Sequence, residues 1–184
     1  MAETIKILGF AGSLRKGSYN KALLRAAVEL APKGSEVQTF DIEGIPPFSE
    51  DLESEPAAKV KDFKAAIEAA DALLIATPEY NYSMPGVLKN AIDWASRPYG
   101  DNSFAGKPVA IMGASIGTLG TARAQYHLRQ SCVFLNMHPL NQPEVMVASA
   151  QNKIDPAGRV TDEETRKRIA EMLAALVAWM RQLR

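Results

Sequence analysis

Cysteine occurs once and histidine twice in these 184 residues, and that scarcity closes off most thiol and metal chemistry. A lone Cys132 excludes a disulfide framework, a Cys-x-x-Cys redox pair and a thiolate cluster. It lies in the apolar stretch Ser131-Cys132-Val133-Phe134-Leu135, where a buried and inert thiol is expected. His127 and His138 fit no His-Glu-x-x-His or related ligand spacing, so no metal-binding residue is expected. An excess of either charge is missing too. Lys plus Arg and Asp plus Glu both total 21, which leaves no net field to draw nucleic acid or an acidic membrane surface. No apolar run approaches the ~20 residues of a membrane span, and the opening Met-Ala-Glu-Thr-Ile-Lys lacks the basic-then-apolar pattern of a secretion signal. A cytoplasmic protein without nucleic-acid or membrane partners is therefore expected. No linker, repeat or low-complexity segment divides the chain, whose length suits one domain over residues 1–184.

Two familiar phosphate fingerprints are lacking as well. Gly12-x4-Gly17 has the spacing of a nucleoside-triphosphate loop, but Ser18 and Tyr19 stand where the lysine and the magnesium-binding hydroxyl residue belong. Gly9, Gly12 and Gly17 have the wrong separations for the dinucleotide pattern Gly-x-Gly-x-x-Gly.

What the chain does have is an alternation of apolar, strand-like runs with helical patterns, the order of a parallel α/β sheet. Five strands are expected, at 5–11, 36–41, 72–77, 109–114 and near 144–148. Helices are expected at 19–30, 57–69, 85–96, 121–135 and 162–182, the last with Thr161 as N-cap and Glu163 and Glu164 in its first turn. Ligands of such sheets sit beyond the carboxyl ends of the strands, so the loops after the first, third and fourth strands carry the interest.

The first of these loops reads Gly12-Ser13-Leu14-Arg15-Lys16-Gly17-Ser18-Tyr19-Asn20, between a buried strand and a helix start. Small residues there aim backbone N–H groups and the positive end of the helix dipole at one point, where an anion binds without a metal. Ser13, Ser18 and Asn20 add neutral donors and Arg15 a charged fork, a set suited to a terminal monophosphate; a plain turn with a Ser N-cap is the competing reading.

After the third strand come Thr77-Pro78-Glu79-Tyr80-Asn81-Tyr82-Ser83-Met84-Pro85-Gly86. Two prolines restrict this backbone, the tyrosines offer flat faces and Asn81 offers donor and acceptor, which suits a planar heteroaromatic ligand or, equally, a rigid surface loop. Glu79 has two open roles, a bond to such a ring or a loop cap. The fourth loop holds Gly113-Ala114-Ser115-Ile116-Gly117, the spacing of a hydrolase nucleophile elbow. No Asp or Glu lies between Ser115 and His138, so the Ser–acid–His order of that architecture cannot be written. The favoured role of 117–120 is a close backbone approach to a flat ligand, with Ser115 as a hydrogen-bonding group.

Taken with Pro85-Gly86-Val87-Leu88-Lys89-Asn90-Ala91-Ile92-Asp93-Trp94, these segments resemble the NAD(P)H-dependent FMN reductase family, nearly end to end. The quinone and chromate reductase branch is nearest, and Ala124-Gln125-Tyr126-His127-Leu128-Arg129-Gln130 resembles it too. The resemblance implies a single flavodoxin-like FMN-binding domain: a three-layer α/β sandwich whose five parallel strands run in the order 2-1-3-4-5 with helices on both faces. It also implies a homodimer or homotetramer. Carried over, Ser13, Arg15, Ser18 and Asn20 hold the FMN phosphate, with Leu14 and Tyr19 adding backbone or packing contacts. Pro78, Glu79, Tyr80, Asn81 and Tyr82 line the isoalloxazine ring, and Ser115 and Gly117 border its other side.

The function implied is NAD(P)H-dependent reduction of quinones or similar acceptors, among them chromate, azo and nitro compounds and free flavin. NADPH or NADH is the co-substrate, turnover is ping-pong through flavin N5, and no catalytic side chain is required. An FMN electron carrier that never meets a nicotinamide is the alternative, and a serine hydrolase at Ser115 a remote one. Asp93, Trp94 and the stripe Ile169, Met172, Leu173, Leu176 and Trp179 are expected to pack. Arg123, Tyr126 and Arg129 are either subunit bridges or solvated helix residues.

Overall fold

The structure is a computed structural model that describes residues 4–183. Its order is β1 (Ile5–Ala11), α1 (Tyr19–Glu29), β2 (Ser35–Phe40), α2 (Ala58–Ala69), β3 (Ala72–Ala76), α3 (Gly86–Ala95), β4 (Pro108–Ala114), α4 (Ala122–Phe134), β5 (His138–Pro139), β6 (Val145–Val147) and α5 (Glu163–Leu183), with short 3₁₀ turns at Glu50–Leu52 and Ala150–Asn152. All ladders are parallel, in the order β2-β1-β3-β4-β5 with β6 also paired to β4. This is the flavodoxin-like order.

Strand periodicity explains the layers. Ile7, Ala11, Leu74, Ala76, Ala110 and Met112 face α1 and α5, whereas Leu8, Phe10, Leu73, Ile75, Val109 and Ile111 face α2, α3 and α4. Both faces are covered, so the central strands read as continuous apolar runs.

The strand expected near 144–148 is present as β6, and a further two-residue strand, β5, precedes it. His138 and Pro139 pair with Pro108 and Val109 at the start of β4, and Val145, Met146 and Val147 pair with Met112, Gly113 and Ala114 at its end. Among the described residues there are thus six strands, the five expected and β5, with the connection at 140–144 between the last two. Arg129 braces that connection from α4 through the Leu140 carbonyl (2.8 Å) and Asn141 Oδ1 (3.4 Å).

The cap of α5 also differs from expectation. Asp162 rather than Thr161 takes the N-cap role: its Oδ2 accepts the Thr165 N–H at 2.9 Å and the Thr165 hydroxyl at 2.5 Å. Thr161 instead donates its hydroxyl to the Lys153 carbonyl at 3.2 Å. The packing stripe is as expected, with Ile169, Met172, Leu173 and Leu176 buried and Trp179 Nε1 donating to the His138 carbonyl at 3.1 Å. Trp94 is buried and donates to the Pro46 carbonyl, while Asp93 pairs with Lys89 one turn away. Among the described residues no helix is long and apolar enough to cross a membrane.

Candidate functional site

The ends of β1, β3 and β4 open into one cleft of about 320 Å³, lined by Ser13, Arg15, Ser18, Tyr19, Asn20, Pro78, Glu79, Tyr80, Ala114, Ser115 and Ile116. Nine of the thirteen residues singled out from the sequence line it. Leu14, Asn81, Tyr82 and Gly117 lie in the same loops outside the lining, and Ala114 and Ile116 are additions. A larger cavity, about 560 Å³, lies between α2 and the end of α3. Lys64 there bonds the Arg97 and Asp101 carbonyls and pairs with the Asp101 carboxylate, and Arg97 pairs with Glu53. The smaller cleft is the one with converging free donors.

Those donors come mainly from the first loop. Gly12 N–H still bonds the Ala76 carbonyl, at 2.9 Å, and the chain leaves the sheet immediately afterwards. Ser18 is the N-cap of α1 and its Oγ accepts the Lys21 N–H at 3.3 Å. The cap leaves the N–H groups of Tyr19 and Asn20, first and second in the helix, without an i−4 carbonyl inside it. Ser13 and Ser18 are buried around this point. Arg15 folds over it, donating to the Gly17 carbonyl at 2.5 Å with its guanidinium 5.0 Å from the Tyr19 ring centre.

Asn20 occupies a different position. Its amide nitrogen donates to the Ala114 carbonyl at 3.1 Å and its amide oxygen accepts the Ala114 N–H at 2.9 Å. The side chain thereby joins the first loop to the end of β4.

The second loop is a tight turn docked on α4. Tyr80 and Ser83 exchange backbone hydrogen bonds, both 3.0 Å, around Asn81 and Tyr82, whose φ values of 49° and 67° are those of a type I′ turn. Asn tolerates this conformation; a tyrosine does so at a cost of about 1–2 kcal/mol. The Arg123 guanidinium lies 3.6 Å from the Tyr82 ring centre, which offsets part of that cost. Ser83 Oγ and His127 Nδ1 are 3.0 Å apart.

Glu79 resolves to a cap. Helix α4 begins after Thr121, which sits at φ 74° and makes no side-chain cap bond. The Glu79 carboxylate fills that role from the other loop: Oε2 accepts the N–H groups of Arg123 (3.1 Å) and Ala124 (3.2 Å), and Oε1 accepts Arg123 Nε at 2.5 Å. The Glu79 side chain is 8% exposed and ion-paired with Arg123. No sequence signal announces this contact, because its partners lie 44 and 45 positions away.

The third loop is held by the sheet edge. Ser115 N–H bonds the Val147 carbonyl, the Ala150 N–H bonds the Ser115 carbonyl, and the Ser149 N–H bonds the Gly117 carbonyl. The expected ligand approach at Gly120 is an internal contact instead, since a Cβ there would lie 2.5 Å from the Met146 carbonyl carbon. A Cβ on Gly113 would overlap Thr121 Oγ1 and the Thr77 carbonyl oxygen, so glycine lets the two loops meet over the end of β4. Ser115 Oγ accepts the Gly117 N–H at 3.1 Å, while His127 is engaged with Ser83; no Ser–His relay is assembled.

Cys132 is buried, and burial pushes its thiol up to about 11. Tyr126 donates to Glu144 at 3.0 Å, a bond that raises its phenol above the ordinary range. Among the described residues, no cluster of three or more His, Cys, Asp or Glu side chains is placed to hold a metal. The cradle offers two hydroxyls, a guanidinium and a helix N-terminus, and the one carboxylate lining the cleft is neutralised by Arg123. That donor set fits an anionic group such as a phosphate.

Comparison with known proteins points the same way. A family model described as NADPH-dependent FMN reductase matches residues 5–152. The chain is 58% identical over 187 residues to an NAD(P)H-dependent FMN reductase of Pseudomonas aeruginosa, with 100% of both chains covered. It is 43% identical over 188 residues to a quinone reductase of Escherichia coli, again with 100% of both covered. Among solved structures, FerB of Paracoccus denitrificans, a flavoenzyme NAD(P)H:acceptor oxidoreductase, is similar at a TM-score of 0.88 and 38% identity, over 97% of this chain and 98% of that one.

Proposed function

This chain belongs to the NADPH-dependent FMN reductase family and is an FMN-dependent oxidoreductase driven by NAD(P)H; from that premise we propose where its cofactor sits and what it reduces. The FMN phosphate lies in the cradle of Ser13, Arg15, Ser18 and the first N–H groups of α1, with Leu14 and Tyr19 packing beside it. The isoalloxazine lies against Pro78, Glu79, Tyr80, Asn81 and Tyr82, with Ser115 and Gly117 on its other border. The observation that carries this reading is the meeting of three loops at one cleft whose free polar groups are donors. When bound, FMN supplies hydride acceptance at N5 and onward electron transfer. The protein's part is orientation: the Glu79 and Asn20 contacts fix the loops before anything binds, and the wall they form excludes water from one side.

The acceptor we propose is a quinone, in keeping with the relatives named quinone reductases, with chromate, azo compounds, nitroaromatics and free flavin as further acceptors. The exposed rim of Tyr80, Tyr82 and Ile116 suits a flat apolar ring. Nicotinamide and quinone then take turns at the same open face. Initial rates at several fixed quinone concentrations test this: parallel double-reciprocal lines against NADPH are expected, and intersecting lines contradict a shared face.

The chain acts as one cytoplasmic domain that pairs with a second copy, as a homodimer or within a homotetramer, and binds no nucleic acid. The outer face of α4 supports the pairing, since Tyr126, Val133 and Phe134 are exposed there, the last two by 82% and 80%.

A further inference from the structure

We infer that Asn20 is a positioning residue that joins the phosphate cradle to the wall of the flavin site, and that its side chain is not a phosphate ligand; the inference rests on the cofactor reading above. Strand β3 ends opposite Met112: Ala76 is paired with Met112, and the Thr77 N–H bonds the Met112 carbonyl at 2.9 Å. Residues of β4 alternate in the side to which their backbone groups point. Ser115 N–H reaches Val147 on the β6 side, so Ala114 presents its N–H and carbonyl to the β3 side, past the point where β3 has stopped. Two backbone groups would be orphaned there, and the Asn20 amide takes the place of the missing strand. It donates to one at 3.1 Å and accepts from the other at 2.9 Å, with the residue only 2% exposed.

One side chain thus fixes where the β4 loop stands relative to α1. Ser13, Arg15, Ser18 and the helix N–H groups remain on the phosphate side, while Ala114, Ser115 and Ile116 are set at the ring side. Loss of the amide frees the second group of residues without removing a donor from the first.

Riboflavin, which lacks the phosphate, separates the two roles. Dissociation constants of FMN and riboflavin are measured for wild type and Asn20→Ala, with Val60→Ala, a buried position on α2, as a control that lowers stability away from the cleft. A clamp weakens both ligands by the same factor, about tenfold for two hydrogen bonds, and leaves the FMN-to-riboflavin ratio unchanged. The visible circular dichroism of bound flavin then changes in Asn20→Ala and not in Val60→Ala. Weakening of FMN alone would make Asn20 a phosphate ligand, and unchanged affinity for both would remove any positioning role. Should Asn20→Ala not fold, Asn20→Ser carries the same comparison, since its hydroxyl can bond within the first helical turn. Hydrogen exchange in flavin-free protein gives an independent readout: the Ala114 amide is expected to exchange faster in the variant, and unchanged exchange overturns the clamp. A wild type that prefers riboflavin or binds neither flavin would instead count against the cofactor placement, with the exchange result still deciding the clamp.

Discussion

Glu79 and Arg123 stand 44 residues apart, yet the carboxylate of one takes both the backbone N–H and the guanidinium of the other and so starts helix α4. The turn outside β3 and the helix after β4 are thereby joined, and the Tyr82 ring packs against the same guanidinium. The wall of the cleft is built by contacts within the protein.

Removing Glu79 leaves two helix N–H groups and a guanidinium without their acceptor. Glu79→Ala is expected to cost about 2 kcal/mol, or about 4–8 °C in Tm for a chain of this size. Arg123→Ala costs less, because the N–H groups of residues 123 and 124 keep their carboxylate. Thermal unfolding of both variants gives the order, and a larger loss in Arg123→Ala would contradict capping as the main role of Glu79.

Asn81 is suited to its turn by its tolerance of positive φ. Asn81→Gly is expected to fold with unchanged stability, whereas Asn81→Ala loses about 1 kcal/mol. Equal midpoints for the two variants in urea would mean that the turn conformation is not the constraint.

The Asp162 cap is sensitive to acid in one direction only. Its bonds with Thr165 hold the carboxyl below its ordinary value of 3.8. A depressed folded value means the stabilisation is complete above the unfolded value and is lost as the pH falls through the folded one. Wild type is therefore expected to exceed Asp162→Ala by about 1 kcal/mol at pH 7, with the gap closing below about pH 4. A gap that does not shrink between pH 7 and pH 2.5 would contradict the role of the ionised form.

The exposed α4 face predicts assembly. Val133→Glu together with Phe134→Lys is expected to give a monomer in sedimentation velocity with unchanged far-ultraviolet circular dichroism, while wild type sediments as a dimer or larger. A wild type that is monomeric at micromolar concentration would contradict the proposed pairing.

Much of the architecture is legible in the sequence because it rests on local periodicity. The runs at 5–11, 72–77 and 109–114 are apolar but for Lys6 and Thr77, which marks strands covered on both faces, and the α5 stripe repeats at helical spacing. The first loop is legible in part: Ser13, Arg15 and Ser18 line the cleft to which the strand–loop–helix order assigns them, while Ser18 is also the N-cap of the competing reading. The two-residue β5 carries no periodic signal, and Asp162 outcompetes its neighbour Thr161 by a geometry that letters do not show. The contacts that set the site are less legible still. Asn20 reaches across 94 positions to a backbone group, and Glu79 reaches a helix start whose own residues make no side-chain cap. Such pairs depend on where strands stop, and that is fixed by the sheet as a whole.

The central claim, that this cleft holds FMN and passes electrons from a nicotinamide to an acceptor, is tested most directly in one anaerobic cuvette. The purified protein, reconstituted with FMN if colourless, is expected to show a flavin band that bleaches on addition of NADPH and returns on addition of benzoquinone. Flavin that binds but stays oxidised under NADPH, or a protein that takes up no FMN at all, would contradict it.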